Sequence, residues 1–334
     1  IEVRAAEAEI VAADLDGDGE RIGHAHAQLD ALVQAARGRN ADIRLALAQV
    51  QEAEAALREV DAAALPQVDL SFTNQNTRIS AAGATPVFAE IDVDSGNITA
   101  DTIAKVITPK TKAIIAVHLA GWPCDMDPIM ALAEKHGLIV VEDCAQAHGA
   151  KYKGRPVGGI GHFGAWSFCQ DKIMSTGGEG GMLTLNREDW WRAAWSYKDH
   201  GKSFEAVYER EHPPGYRWLH ESFGTNWRML EMQAVISRIQ LRRMPEWTTA
   251  RSRNVATLAQ AFSGLKALRI PEVPDHSQHA WYKFYTYVRP EALKPDWSRD
   301  RLMAEINAAG VPCYSGSCSE IYLEKAFDGH PSKP

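Results

Sequence analysis

Residues 138–150 read LIVVEDCAQAHGA. Leu138, Ile139, Val140 and Val141 form a short apolar, β-branched run that ends on two acids, the pattern of a buried parallel strand whose C-terminal end carries Asp143. The stretch before it, DMDPIMALAEKHG (125–137), has helical spacing and closes on Gly137, a residue suited to the left-handed turn that ends a helix. Further upstream, KAIIAVHL (112–119) reads as strand, DTIAKVI (101–107) as a short helix and PVFAEIDV (86–93) as strand. Downstream, a strand ends at Ser167 and Phe168, and another follows a glycine-rich bend. Strand and helix taking turns predict an α/β fold with a mixed, mostly parallel sheet. Helical patterns then dominate 188–200 and 229–262, and WYKFYTYV (281–288) with RDRLMAEINAAG (299–310) suggests a separate α+β unit.

The chemistry sits on three motifs. Asp143, at a strand's C-terminal end, lies where ligands bind in open α/β sheets. It suits either a structural cap or ion pair, or a partner for the ring nitrogen of a pyridine cofactor, which it would keep protonated. FGAWSFCQDKIMSTGGEGGMLTLN (163–186) places Lys172 between apolar strands, where burial favours the neutral amine needed for Schiff-base chemistry. Ser167 could offer its hydroxyl to a phosphate. Gly177, Gly178, Gly180 and Gly181 are a backbone bend rather than a nucleotide loop, because a P-loop needs Lys-Ser/Thr after its last glycine and here the lysine comes first. In FGTNWRMLEMQAVISRIQL (223–241), Asn226 and Arg228 precede an amphipathic helix, and an asparagine there is first of all a capping residue.

Composition narrows the partners. The chain has 334 residues, 45% hydrophobic and 24% charged, with a formal net charge of -7. That gives no electrostatic reason to expect nucleic acid or an anionic membrane, and small molecules are the expected ligands. Five cysteines with no paired C-x-x-C framework fit a reducing compartment, and no signal peptide or membrane-spanning run is evident, so the reading is cytoplasmic. No G-x-S-x-G elbow or H-E-x-x-H spacing supports a hydrolase or zinc site, and no metal is expected.

Taken together, GATPVFAEID, TKAIIAVHLAGWPCDMDPI, VVEDCAQAHGA, SFCQDKIMSTGGEGGM and FGTNWRMLEMQA resemble the DegT/DnrJ/StrS family of sugar aminotransferases over about residues 82–327. The resemblance implies a fold-type I enzyme of the aspartate-aminotransferase kind that uses pyridoxal 5'-phosphate to move an amino group, usually from glutamate, onto a keto group of a nucleotide-linked sugar. It implies that Lys172 binds the cofactor covalently and shuttles a proton. Asp143 would hold the pyridinium nitrogen, Gln146 sit against the ring's 3-oxygen and Ser167 bind the phosphate. Asn226 would reach the phosphate of the other subunit of a homodimer. His148 lies near the motif without an assigned role. Lysine rather than histidine at position 172 favours transamination over the dehydration seen in some relatives.

A second resemblance concerns residues 29–80, where LDALVQAARGRNADIRLALAQVQEAEAALREVDAAALPQVDLS is similar to the start of outer-membrane efflux factors. The expected organisation is a helical segment at 1–80, a cofactor-binding core at 81–265 and a truncated small domain at 266–334. The family's N-terminal Ser-Gly-Thr phosphate loop and ring-stacking aromatic are not identifiable in residues 1–80. The competing reading is therefore a catalytically impaired fusion or fragment that serves as a protein-interaction module.

Overall fold

The computed structural model describes residues 84–215 and 218–316 together with Lys325 and Asp328. The chain divides into two compact units, Ile1–Phe72 and Thr73–Pro334, and every described residue belongs to the second. The helical segment expected at 1–80 and its efflux-factor resemblance lie outside the described residues.

Helix α1 (Ala100–Ala104) is capped by Thr99, whose hydroxyl accepts from the Thr102 N–H. Strand β1 (Ala113–Val117), helix α2 (Met126–His136) and strand β2 (Ile139–Asp143) follow as a β-α-β unit. α2 stops where the motif says it should: Gly137 takes φ 63°, and its N–H donates back to the Ala133 and Glu134 carbonyls. Two short antiparallel strands, β3 (Lys151–Tyr152) and β4 (Arg155–Pro156), lead into β5 (Phe163–Ser167) and β6 (Gly181–Leu185). Helices α3 (Glu188–Lys198) and α4 (Phe204–Tyr208) precede the long α5 (Glu231–Phe262). Strands β7 (Leu268–Arg269), β8 (Ser277–Gln278) and β9 (Tyr287–Val288) and helix α6 (Arg299–Ala308) complete the described part.

The main sheet has the order β1-β2-β5-β6, with β1, β2 and β5 parallel and β6 antiparallel. Ile114, Ala116 and Val140 pack against Met126, Ile129 and Ala133 of α2 to form the largest core cluster, with Tyr152 at its edge. Burying such aliphatic side chains contributes roughly 1.5–3 kcal/mol each before conformational entropy is set against it. β8 pairs antiparallel with β3, which stitches the later stretch back onto the region around the motif. No described helix is long and apolar enough to cross a membrane.

Three local expectations fail. Residues 86–93 make no strand, only an isolated pairing of Ile91 with Ile98. Turn chemistry prevails there: the Asp92 carboxylate accepts from the Asp94 and Ser95 N–H groups and the Ser95 hydroxyl, and Gly96 takes φ 69°. Within 281–288 only Tyr287–Val288 is strand, and Trp281 stands at φ 53°. Asn226 does not cap α5, which begins five residues later with the Gln233 side chain reaching back to the Leu230 N–H.

Candidate active site

Because β1, β2 and β5 are parallel neighbours, their C-terminal ends lie on one edge of the sheet, with Val117 opposite Asp143 and Asp143 opposite Ala165. The ladder continues one step beyond β2, the Cys144 N–H donating to the Ala165 carbonyl at 2.8 Å. Asp143 is buried, and its Oδ1 accepts from the Ala145 N–H at 3.0 Å, which fixes the carboxylate's orientation. Gln146 is fixed by its oxygen, which accepts from the Ala120 N–H at 2.7 Å. That bond orients the amide so that its nitrogen, the donor end, turns away from Ala120. Ala120 holds this position at φ 56°, a left-handed conformation that costs an alanine roughly 1–2 kcal/mol.

The end of β5 delivers Lys172. The Ser167 hydroxyl accepts from the Cys169 N–H at 3.3 Å, and the Lys172 N–H returns to the Cys169 carbonyl at 3.0 Å, so the chain curls immediately after the strand. The Lys172 side chain is 1% exposed, and its Nζ lies 3.7 Å from Asp171 Oδ2 and 5.3 Å from the centre of the Tyr282 ring. The Tyr282 hydroxyl donates to the same Asp171 oxygen at 2.7 Å. Burial pushes the Asp171 carboxyl up, but the Tyr282 and Cys169 hydrogen bonds and the Lys172 charge outweigh it and hold the group below the usual carboxylate range. His148 ties the two motifs together: its ring packs at 5.2 Å from Trp166 and 5.8 Å from Phe168. Burial, with the Lys172 charge adding to it, brings its pKa down to about 4.

Sequence reasoning missed the buried pair beneath this edge. Glu142, one residue before Asp143, is fully buried, as is His118 at the end of β1. The Cys124 N–H donates to His118 Nδ1, so the ring is neutral with its proton on Nε2, which donates to Glu142 Oε2 at 3.1 Å. The Gly158 N–H donates to the same oxygen, and the Ile160 and Gly161 N–H groups donate to Oε1. Burial alone would raise this carboxyl, yet these hydrogen bonds hold it below its ordinary value. One carboxylate thus fastens the 158–161 loop and the segment after β1 to the strand that carries Asp143.

His118, Glu142 and Cys144 are also the one trio of potential metal ligands found close together among the described residues. Their hydrogen bonding speaks for a structural cluster. Both Glu142 oxygens and both His118 nitrogens are engaged, and burial, followed by the Glu142 and Asp143 charges, pushes the Cys144 thiol far up, away from the thiolate a metal needs.

Gly158 is part of the same arrangement. It sits at φ 81°, and a Cβ there would come within 2.4 Å of Trp166 Cζ2. Gly158→Ala is expected to cost about 2–4 kcal/mol, from the left-handed backbone and the overlap with an indole that cannot withdraw. Chemical denaturation would read this as a lower midpoint at unchanged slope.

The donor set fits the cofactor implied by the sequence resemblance. Lys172 supplies a buried amine, Asp143 a buried carboxylate for a ring nitrogen, Gln146 an oriented amide donor and Ser167 a hydroxyl, from the strand ends and the loops that follow them at one sheet edge. Asn226 is placed apart from them: it is exposed, its backbone pairs with Asp199, and its side-chain oxygen accepts from Arg228.

The profile of the DegT/DnrJ/EryC1/StrS aminotransferase family matches residues 61–330, starting upstream of the position expected from the motifs. The dTDP-3-amino-3,4,6-trideoxy-alpha-D-glucose transaminase of Streptomyces venezuelae is 33% identical over 251 residues, 75% of this chain and 61% of that protein. The UDP-N-acetyl-3-dehydro-alpha-D-glucosamine 3-aminotransferase of Acidithiobacillus ferrooxidans is 37% identical over 251 residues, again 75% of this chain and 60% of that one. The chain therefore spans about six tenths of the length of the curated relatives it matches. Among solved structures, the aminotransferase from Psychrobacter cryohalolentis superposes with a TM-score of 0.75 at 62% identity, covering 77% of this chain and 67% of that one. S. venezuelae DesV, solved in complex with a ketimine intermediate, gives a TM-score of 0.67 at 32% identity over 77% of this chain and 64% of DesV. A profile match over most of the sequence, a matching α/β sheet and relatives above 30% identity lead to one conclusion: the chain belongs to the DegT/DnrJ/EryC1/StrS aminotransferase family.

Proposed function

We propose that the protein is a pyridoxal 5'-phosphate-dependent aminotransferase that moves an amino group from an amino acid, glutamate being the expected donor, to a keto group of a nucleotide-linked sugar. The observation that carries this reading is a lysine amine buried at the sheet edge where β2 presents a buried aspartate. The relatives' names support the sugar-nucleotide class, since both curated ones act on nucleotide-linked sugars by name. When bound, the cofactor supplies an electron sink for the carbanion at the substrate's α-carbon.

In this reading Lys172 binds the cofactor aldehyde, then takes and returns the proton at the α-carbon as general base and acid. Asp143 holds a proton on the ring nitrogen by charge. Gln146 donates to the 3-oxygen through the amide nitrogen that its bond to Ala120 orients, and Ser167 donates to the phosphate. Asn226 serves the phosphate of a second subunit, and the surface around it supports a homodimer. Met232, Val235 and Ile239 form an exposed apolar stripe at the start of α5, Leu230 is exposed just before it, and Phe223 and Trp227 flank Asn226 in the open. Residues 1–80 would be a helical segment of efflux-factor type, with a core to 265 and a smaller unit after it, and the enzyme would work in the cytoplasm.

Titrating the purified protein with pyridoxal phosphate is expected to produce a visible absorbance band. Borohydride reduction followed by peptide mass mapping is expected to find the pyridoxyl group on Lys172. An adduct confined to other lysines, or none at all, overturns the assignment.

A further inference from the structure

We propose that Asp171 and Tyr282 form a clamp that holds the Lys172 amine in place whenever it is not covalently engaged. This rests on Lys172 being the cofactor lysine, which an aminotransferase must release in each half-cycle and recapture afterwards. An amine at the end of a flexible four-carbon stem, 1% exposed, needs an anionic neighbour to stay where it is useful. Asp143 is committed to the ring nitrogen. Asp171 supplies the second carboxylate, 3.7 Å from Nζ.

Asp171 alone would be a poor clamp, because its side chain is half exposed. Tyr282 makes it one. Its hydroxyl donates to the same oxygen that faces the amine, and its ring face lies 5.3 Å from Nζ, a favourable placement for a cation. Tyr282 is in turn fixed, its N–H donating to the Ala120 carbonyl at 3.0 Å. Since the Ala120 N–H holds Gln146, the clamp and the cofactor's flank share one peptide segment. Lys283 is also near the ring, its Nζ 4.8 Å from the ring centre. Asp171 and Tyr282 are therefore positioning residues, and the step they serve is recapture. On loading, the clamped ammonium first gives one proton to solvent; its nitrogen then forms a double bond to the aldehyde carbon, and its two remaining protons leave with the carbonyl oxygen as water, whereas in turnover the group displaced from that carbon is the amine of the product.

Stopped-flow mixing of cofactor-free protein with increasing pyridoxal phosphate resolves two quantities. The limiting rate reads the linkage step, and the half-saturating concentration reads the non-covalent binding that comes before it. Asp171→Asn and Tyr282→Phe are each expected to lower the limiting rate about tenfold, one charge-assisted contact's worth. The half-saturating concentration is expected to stay within about twofold, and Asp171→Glu to recover part of the rate. A readout without cofactor is the acetylation of Lys172 by N-hydroxysuccinimidyl acetate, measured against exposed Lys294 by mass spectrometry, which is expected to quicken several-fold in Tyr282→Phe. Limiting rates equal to wild type, or a change confined to half-saturation, overturn the clamp. Absence of any Lys172 adduct in the unmutated protein overturns the parent assignment instead, and that result is visible before any variant is made.

Discussion

Lys172→Ala is expected to abolish the pyridoxyl adduct and to lower transamination by at least about a thousandfold, because in the proposed function one side chain would supply both the covalent link and the proton transfer at the α-carbon. In the same reading the cofactor would still bind through Asp143, Gln146 and Ser167, so the variant should keep a non-covalent spectrum without the linked form. The control is Lys283→Ala. Lys283 lies on the same Tyr282 ring, 4.8 Å from its centre, and is the neighbour best placed to substitute. It is exposed and has no counterpart to the 1% exposure of Lys172. Its removal is expected to leave adduct and rate within about twofold of wild type, as surface changes away from a site usually do. Turnover within about tenfold of wild type in Lys172→Ala, or an adduct relocated to Lys283 without loss of rate, would remove the basis of the assignment.

What could be read from the sequence was what local pattern encodes. Ile139 to Asp143 and Phe163 to Ser167 announced themselves as strands because β-branched and aromatic runs end at turn chemistry, and the parallel order then put their ends on one edge. The placement of Asp143, Ser167 and Lys172 at that edge was legible for that reason. Asp171 and Tyr282 were not: 111 residues separate them, and nothing local distinguishes a turn aspartate from any other surface acid. Glu142 was hidden differently. An acid inside an apolar strand looks like the tail of the Asp143 motif, and only the fold shows that His118 and the 158–161 loop converge on it. Residues 86–93 misled because Val87, Ile91 and Val93 carry strand composition on a segment that leaves all three exposed. The Asp92 turn decides the backbone there.

Glu142→Ala is expected to destabilise the fold by about 3–5 kcal/mol, since it strips the partner from the His118 Nε2–H and from three backbone N–H groups in the dry interior. For a unit of this size that corresponds to a fall in midpoint temperature of roughly 10 °C or more. Glu142→Gln is expected to do almost as badly, although it keeps the shape. Each carboxylate oxygen accepts from two N–H donors, so whichever position the amide nitrogen takes, it confronts donors with a donor. Switching the His118 proton to Nδ1 would relieve one clash only by opposing the Cys124 N–H. The pH dependence has a definite sign. The folded Glu142 titrates below the ordinary glutamate value of 4.5, so its contribution is complete above that pH and is lost as acid drives the solution through the lower folded value. The gap between wild type and Glu142→Ala should therefore be constant at neutral pH and narrow below about 4.5. A Glu142→Gln protein as stable as wild type, or a gap that widens in acid, would mean that the carboxylate is not what fastens the 158–161 loop beneath Asp143.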